Sequence, residues 1–137
     1  MYSARKYTKD GFTLTEILIS IVIVGIIGAV GFTIYRGVVE GARSDATKTQ
    51  LKQIEKAISL FEMHTGRYPA RLRDLVKKPQ GVENWRGEYM KKVPRDGWGR
   101  NFVYRPVKDG NNPYTLYSYG SNGKGAPKKE WMSVWKM

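Results

Sequence analysis

The sequence predicts an α+β protein: one long N-terminal helix packed on a small C-terminal antiparallel sheet. Three observations carry this. Residues Phe12 to Tyr35 are almost continuously apolar. Beyond Arg36 the apolar residues fall into a helical stripe, and the last third alternates turn residues with short aromatic and β-branched segments.

The apolar run of about two dozen residues would span roughly 36 Å as a helix, enough to cross a hydrocarbon core of about 30 Å with some tilt. No small-residue cleavage site follows it, and it is too long for the apolar part of an ordinary secretory signal. Arg5, Lys6 and Lys9 precede the run against the single acid Asp10, which favours a cytoplasmic N-terminus. Past Arg36, the residues Val39, Ala42, Ala46, Leu51, Ile54, Ile58 and Phe61 form one stripe between polar neighbours. The pattern predicts one helix of about 50 residues, half in lipid and half packed on a small domain. Gly66 is placed to cap it, with Pro69 beyond.

The second half has other punctuation. The segment 70–78 predicts a short helix carrying Leu72, Leu75 and Val76. A long connection bearing Trp85, Tyr89 and Trp98 follows. Segments 101–107 and 114–119 read as a hairpin across the turn 109–113, and 131–135 reads as a third strand. In the Asp96-Gly97-Trp98-Gly99 turn, Asp96 is expected to bond nearby backbone N–H groups while Trp98 buries its ring against the helix. His64, the one histidine, is read as a cap or surface residue.

Composition limits the function classes. Twenty-four Lys and Arg against twelve Asp and Glu give a net charge of +12, which suggests an acidic partner or a well-solvated surface. With no cysteine there is no disulfide and no thiolate metal site. No nucleophile motif or phosphate-binding loop is present, so an enzyme is not expected. A charged residue within a membrane helix is costly and usually paired, and Glu16 stands near the start of the apolar run.

The basic leader, Gly11, the Phe12-Thr13-Leu14 triplet and Glu16 opening a long apolar helix together resemble the signature of type IV pilins and pseudopilins. The resemblance implies a pilin-like fold, cutting between Gly11 and Phe12 by a prepilin peptidase, and N-methylation of the new terminus at Phe12. The organisation is then a leader at 1–11, a transmembrane and filament-core helix at 12–35, and a periplasmic globular domain at 36–137. Cleavage frees an α-amino group at Phe12, charged near neutral pH. Glu16 lies about 6 Å up the helix axis, and in a filament it can approach the Phe12 amine of a neighbour, so Glu16 is expected to set assembly register. Gly25, Gly28 and Gly31 could let such helices approach closely. Thr33 stands where many family members carry a proline, which puts a kink there in doubt.

Further matches at Tyr68-Pro69, Trp85, Gly87, Tyr89, Pro94, Asp96, Trp98-Gly99, Tyr104, Ser118, Gly120 and Gly123 are similar to the major pseudopilin of type II secretion systems. That branch implies a single-pass inner-membrane protein held in lipid before assembly. It would then self-associate into a helical periplasmic filament, the pseudopilus, which drives folded proteins across the outer membrane. The implied partners are the prepilin peptidase, an inner-membrane secretion platform powered by a cytoplasmic ATPase, and minor pseudopilins. The branch also implies a calcium-binding loop after the last long strand. Here the candidate ligands are Asn122, in place of an aspartate, and Glu130, while Lys128 and Lys129 oppose a divalent cation. Closure of that loop through Trp131 and Trp135 is the expected substitute.

The alternative function is a type IV pilin or competence pseudopilin that binds DNA during uptake. Loss of the leader removes three cations and one anion and leaves +10. Segment 91–100 interleaves cations with Trp98, a pattern suited to phosphate and stacking contacts. The charges are nevertheless scattered along the whole soluble region, which favours a solvated surface.

Overall fold

In the computed structural model, residues 10–108 and 110–137 are described. Most of the leader, with Arg5, Lys6 and Lys9, lies outside them, as does Asp109 of the hairpin turn. The chain divides into two compact units, one ending at Val38 and one spanning Val39–Met137.

Helix α1 runs from Leu14 to Thr65, so the expected single helix of about 50 residues is present and is continuous through Thr33. It ends as anticipated. Gly66 takes φ +72°, and its N–H donates to the Glu62 carbonyl at 2.8 Å.

The buried stripe on α1 comprises Thr47, Leu51, Ile54, Ala57, Ile58 and Phe61. This corrects the start of the expected stripe, because Ala42 and Ala46 are exposed and Val39 is only half-buried. Thr47 takes the buried place for a polar reason. Its hydroxyl donates to the Arg43 carbonyl at 2.8 Å and accepts the Gly97 N–H at 2.8 Å. The approach there is so close that a Cβ on Gly97 would sit 2.2 Å from the Arg43 carbonyl oxygen. Only glycine lets this loop lie on the helix.

After α1 the expected short helix forms as a 3₁₀ turn, Leu72–Leu75, shorter than the segment 70–78. Leu75 is fully buried, and its carbonyl accepts the Tyr89 and Met90 N–H groups, which ties down the long connection.

The sheet among the described residues has three antiparallel strands, β1 (Val103–Pro106), β2 (Tyr114–Ser118) and β3 (Met132–Ser133), in the order β1-β2-β3. Central β2 alternates cleanly: Tyr114, Leu116 and Ser118 are buried and Thr115 and Tyr117 half-buried. Pro106 is tolerated because β1 is an edge strand. The core joins the α1 stripe to Leu75, Phe102, Leu116 and Val134.

Both outer strands are shorter than expected. Asn101 pairs with Arg95 in an isolated bridge, so the front of segment 101–107 closes the Asp96 turn instead of extending β1. Ser133 accepts the Trp135 N–H and turns the chain into a 3₁₀ turn, Val134–Lys136, which cuts β3 short.

Candidate functional site

At its N-terminus α1 is capped by the residues of the signature. Thr13 precedes the first helical residue and Glu16 sits three further on. The Glu16 carboxylate accepts the Thr13 N–H at 2.8 Å and the Thr13 hydroxyl at 3.1 Å, and the Thr13 hydroxyl accepts the Glu16 N–H at 3.2 Å. This is a reciprocal capping box. The Thr13-x-x-Glu16 spacing that encodes it is visible in the sequence, so Glu16 caps the helix in addition to its expected assembly role. Its carboxylate thus sits one residue from the Gly11–Phe12 bond, held by backbone and hydroxyl donors of the same subunit.

The rest of the apolar segment is bare among the described residues. Its large side chains are exposed all round, from 49 % at Ile17 to 87 % at Phe12. Gly25, Gly28 and Gly31 meet nothing within 4 Å. Two of its hydroxyls, by contrast, are satisfied internally. Ser20 donates to the Glu16 carbonyl at 2.7 Å and Thr33 to the Ala29 carbonyl at 3.2 Å. A helix that satisfies its own polar groups and bares its apolar ones suits lipid or a bundle of like helices.

A second constellation lies at the far end of β2. Buried Asp96 accepts the Trp98 N–H at 3.0 Å and the Arg100 N–H at 2.8 Å on one carboxylate oxygen. Its other oxygen accepts the Ser118 hydroxyl at 2.6 Å. The expected backbone bonding of Asp96 is present; the link to Ser118 was not anticipated and had no signal beyond the two residue types. Trp98 is half-buried, and its indole N–H donates to Glu40 on α1 at 3.0 Å. His64 is half-buried and shares a 3.0 Å hydrogen bond with the Tyr89 hydroxyl instead of capping the helix.

The loop from Gly120 to Trp131 was the calcium candidate. The Asn122 amide donates to the Glu130 carboxylate at 2.8 Å, so the two candidate ligands face each other. The Arg100 guanidinium donates to the carbonyls of Gly120 and, at 3.2 Å, Ser121. No group of three or more His, Cys, Asp or Glu gathers among the described residues. Calcium needs several convergent oxygens and tolerates no cation among them, so these residues do not fit it. The two tryptophans do hold this region. Trp131 stacks on Tyr117 at 4.6 Å and donates to the Ala126 carbonyl at 3.0 Å, while Trp135 donates to the Tyr114 carbonyl at 2.8 Å.

Within segment 91–100, Lys91, Lys92 and Arg95 are exposed, but two of its cations and its indole make contacts inside the fold. Arg95 and Arg100 donate to backbone carbonyls, and Trp98 is engaged with Glu40.

Residues 35–135 match the family described as "Type II secretion system (T2SS), protein G", and residues 7–33 match the prokaryotic N-terminal methylation motif. The chain belongs to the type II secretion protein G family. Within that family, the core protein G of Xanthomonas campestris pv. campestris is 35% identical over 124 residues, covering 89% of this chain and 85% of that one. The core protein G of Pseudomonas aeruginosa is 36% identical over 128 residues, covering 88% and 89%. The crystal structure of the major pseudopilin from the type 2 secretion system of enterohaemorrhagic Escherichia coli has the same fold. It superposes with a TM-score of 0.63 at 22% identity, covering 73% of this chain and 88% of that one. The family's long helix on a small sheet is therefore the architecture seen here.

Proposed function

We propose that this chain is a structural subunit of the type II secretion pseudopilus, made as a membrane protein and polymerised through its N-terminal helix. Membership of the protein G family supports the role. The structural observation that carries it is the contrast on α1. Leu51, Ile54, Ile58 and Phe61 are buried in the head, whereas the apolar side chains from Phe12 to Val38 are bare. Removed from lipid, that segment must bury itself against copies of itself, and a filament core supplies the partners.

In this reading the leader is cut after Gly11 on the cytoplasmic face and Phe12 becomes the N-methylated terminus. The helix from 12 to 35 anchors the subunit in the inner membrane with residues 36–137 in the periplasm. The freed Phe12 amine then meets Glu16 of a neighbouring subunit. Glu16 would exchange its Thr13 donors for that cation on assembly, so capping holds the carboxylate ready until a neighbour arrives. Prepilin peptidase, the secretion platform and minor pseudopilins complete the machinery. DNA uptake is the less favoured reading, because Arg100 and the Trp98 indole of segment 91–100 make contacts within the fold.

Intact mass of the membrane-extracted protein tests the processing. A chain beginning at Phe12 with one added methyl group is expected. An intact Met1, or a cut beyond residue 35, would refute it.

A further inference from the structure

We propose that the Arg100 guanidinium is the built-in cation of the loop Gly120–Trp131, and that this head domain closes the loop without a divalent metal. The inference rests on a ring of contacts in the head and not on the filament reading.

The ring starts at Asp96, whose carboxylate fixes the Arg100 N–H at 2.8 Å while the Asp96 N–H donates to the Arg100 carbonyl at 2.8 Å. With its backbone held at both groups, Arg100 can aim its side chain. The same carboxylate holds Ser118 at 2.6 Å, and the Ser118 oxygen accepts the Gly120 N–H at 3.1 Å. Gly120 therefore has its N–H fixed from the Asp96 side, and its carbonyl accepts Arg100 Nη1. Arg100 Nη2 takes the Ser121 carbonyl at 3.2 Å. One planar fork thus bonds two successive carbonyls, a geometry that suits guanidinium and not the point charge of a lysine.

Gly123 closes the far side. Its φ is +71°, and a Cβ there would lie 3.4 to 3.6 Å from the guanidinium carbon and both terminal nitrogens. Backbone is therefore laid against the cation. The loop's acid, Glu130, is turned to the Asn122 amide at 2.8 Å. A divalent ion brought to these carbonyls would have to displace a covalently tethered cation. It would do so within a loop that also carries Lys124, Lys128 and Lys129. Like charges at contact distance oppose that exchange.

The test is thermal unfolding of the full-length chain in detergent, read by tryptophan fluorescence, in EGTA and in millimolar calcium chloride. Wild type should unfold at the same temperature in both, within about 1 °C. Arg100→Gln should lower the midpoint by roughly 5–10 °C in both buffers, the shift expected when charge-assisted hydrogen bonds are lost from a domain of this size. Arg100→Lys should fall between, keeping the charge and losing the fork. Calcium raising the wild-type midpoint by about 5 °C or more, or Arg100→Gln matching wild type, would overturn the proposal. If Arg100→Gln does not fold, the wild-type calcium comparison and Arg100→Lys still decide it. Neither depends on filament formation, so failure here leaves the assembly reading standing and the reverse holds as well.

Discussion

The two parts of α1 obey opposite rules, although they belong to one helix from Leu14 to Thr65. Between Leu51 and Phe61 the residue types alternate and one face is sealed, with Leu51, Ile54 and Ile58 at 0 % exposure. Between Phe12 and Val38 nearly every side chain is apolar and none is sealed. The first pattern is solved inside a single chain, since the head brings Leu75, Leu116 and Val134 to the stripe. The second is left unburied among the described residues. It needs lipid or other subunits, and with no apolar face favoured over another it serves both. Stability of the head and assembly through the helix should therefore respond to different mutations.

The largest expected effect is on the assembly side. Glu16→Ala should leave the subunit in the membrane in normal amounts and reduce sheared, sedimentable filament by roughly a hundredfold to a thousandfold. That is the loss expected when one member of a desolvated ion pair is removed. The capping box makes a sharper version possible. Glu16→Gln retains an acceptor for the Thr13 donors and removes only the charge. Equal loss in both variants supports pairing with the Phe12 amine. Filament at wild-type level in Glu16→Gln would instead reduce Glu16 to a helix cap.

The converse effect belongs to the head. Phe61 is 1 % exposed, and its ring meets Tyr89 edge-on at 5.6 Å. Phe61→Ala should destabilise the head by about 3–5 kcal/mol through lost burial and an unfilled cavity. The read-out is protease sensitivity of residues beyond Val38, with membrane extraction unchanged. If extraction fell together with head stability, the independence of the two parts would be wrong.

The same division explains what could be read in advance. The apolar run, the stripe from Leu51 to Phe61, the Gly66 cap and the hairpin were legible because each is a local pattern of period 3.6 or 2, or a turn residue. Signature residues Gly11, Phe12 and Glu16 were legible as a motif, yet Thr13's part in the cap was passed over. Three things were not legible. Thr47 replaced Ala46 on the buried face because a loop fifty positions away in sequence lends it the Gly97 N–H. β3 stopped at Ser133 because one hydroxyl captured the Trp135 N–H. Arg100 looked like one cation among 24, and only the folded loop shows that two carbonyls converge on it. Single polar contacts, near or far along the chain, leave no periodicity behind.

The smallest effect sharpens the comparison by acting on the head alone. Tyr104 donates its hydroxyl to the Pro69 carbonyl at 2.7 Å, and the Tyr104 and Tyr114 rings meet at a tilt of 42° with centroids 5.7 Å apart. Burial, then the Tyr114 phenol and Asp74, push the Tyr104 phenol upward. Burial, then the Glu55 carboxylate, push Tyr114 from 10.0 to about 12. Both groups bind their proton more tightly folded than unfolded. Their contribution is therefore fully present below pH 10, where both states are protonated, and for Tyr114 is lost as pH rises from there through about 12. The unfolding midpoint of the head should be flat up to pH 10 and fall by a few degrees above it, while tyrosinate absorbance develops late. Tyr104→Phe should flatten part of that decline, since it removes one proton that the folded state holds too tightly. A midpoint already falling between pH 8 and pH 10 would point to lysines instead, and would remove the tyrosine layer against α1 as the source of alkaline sensitivity.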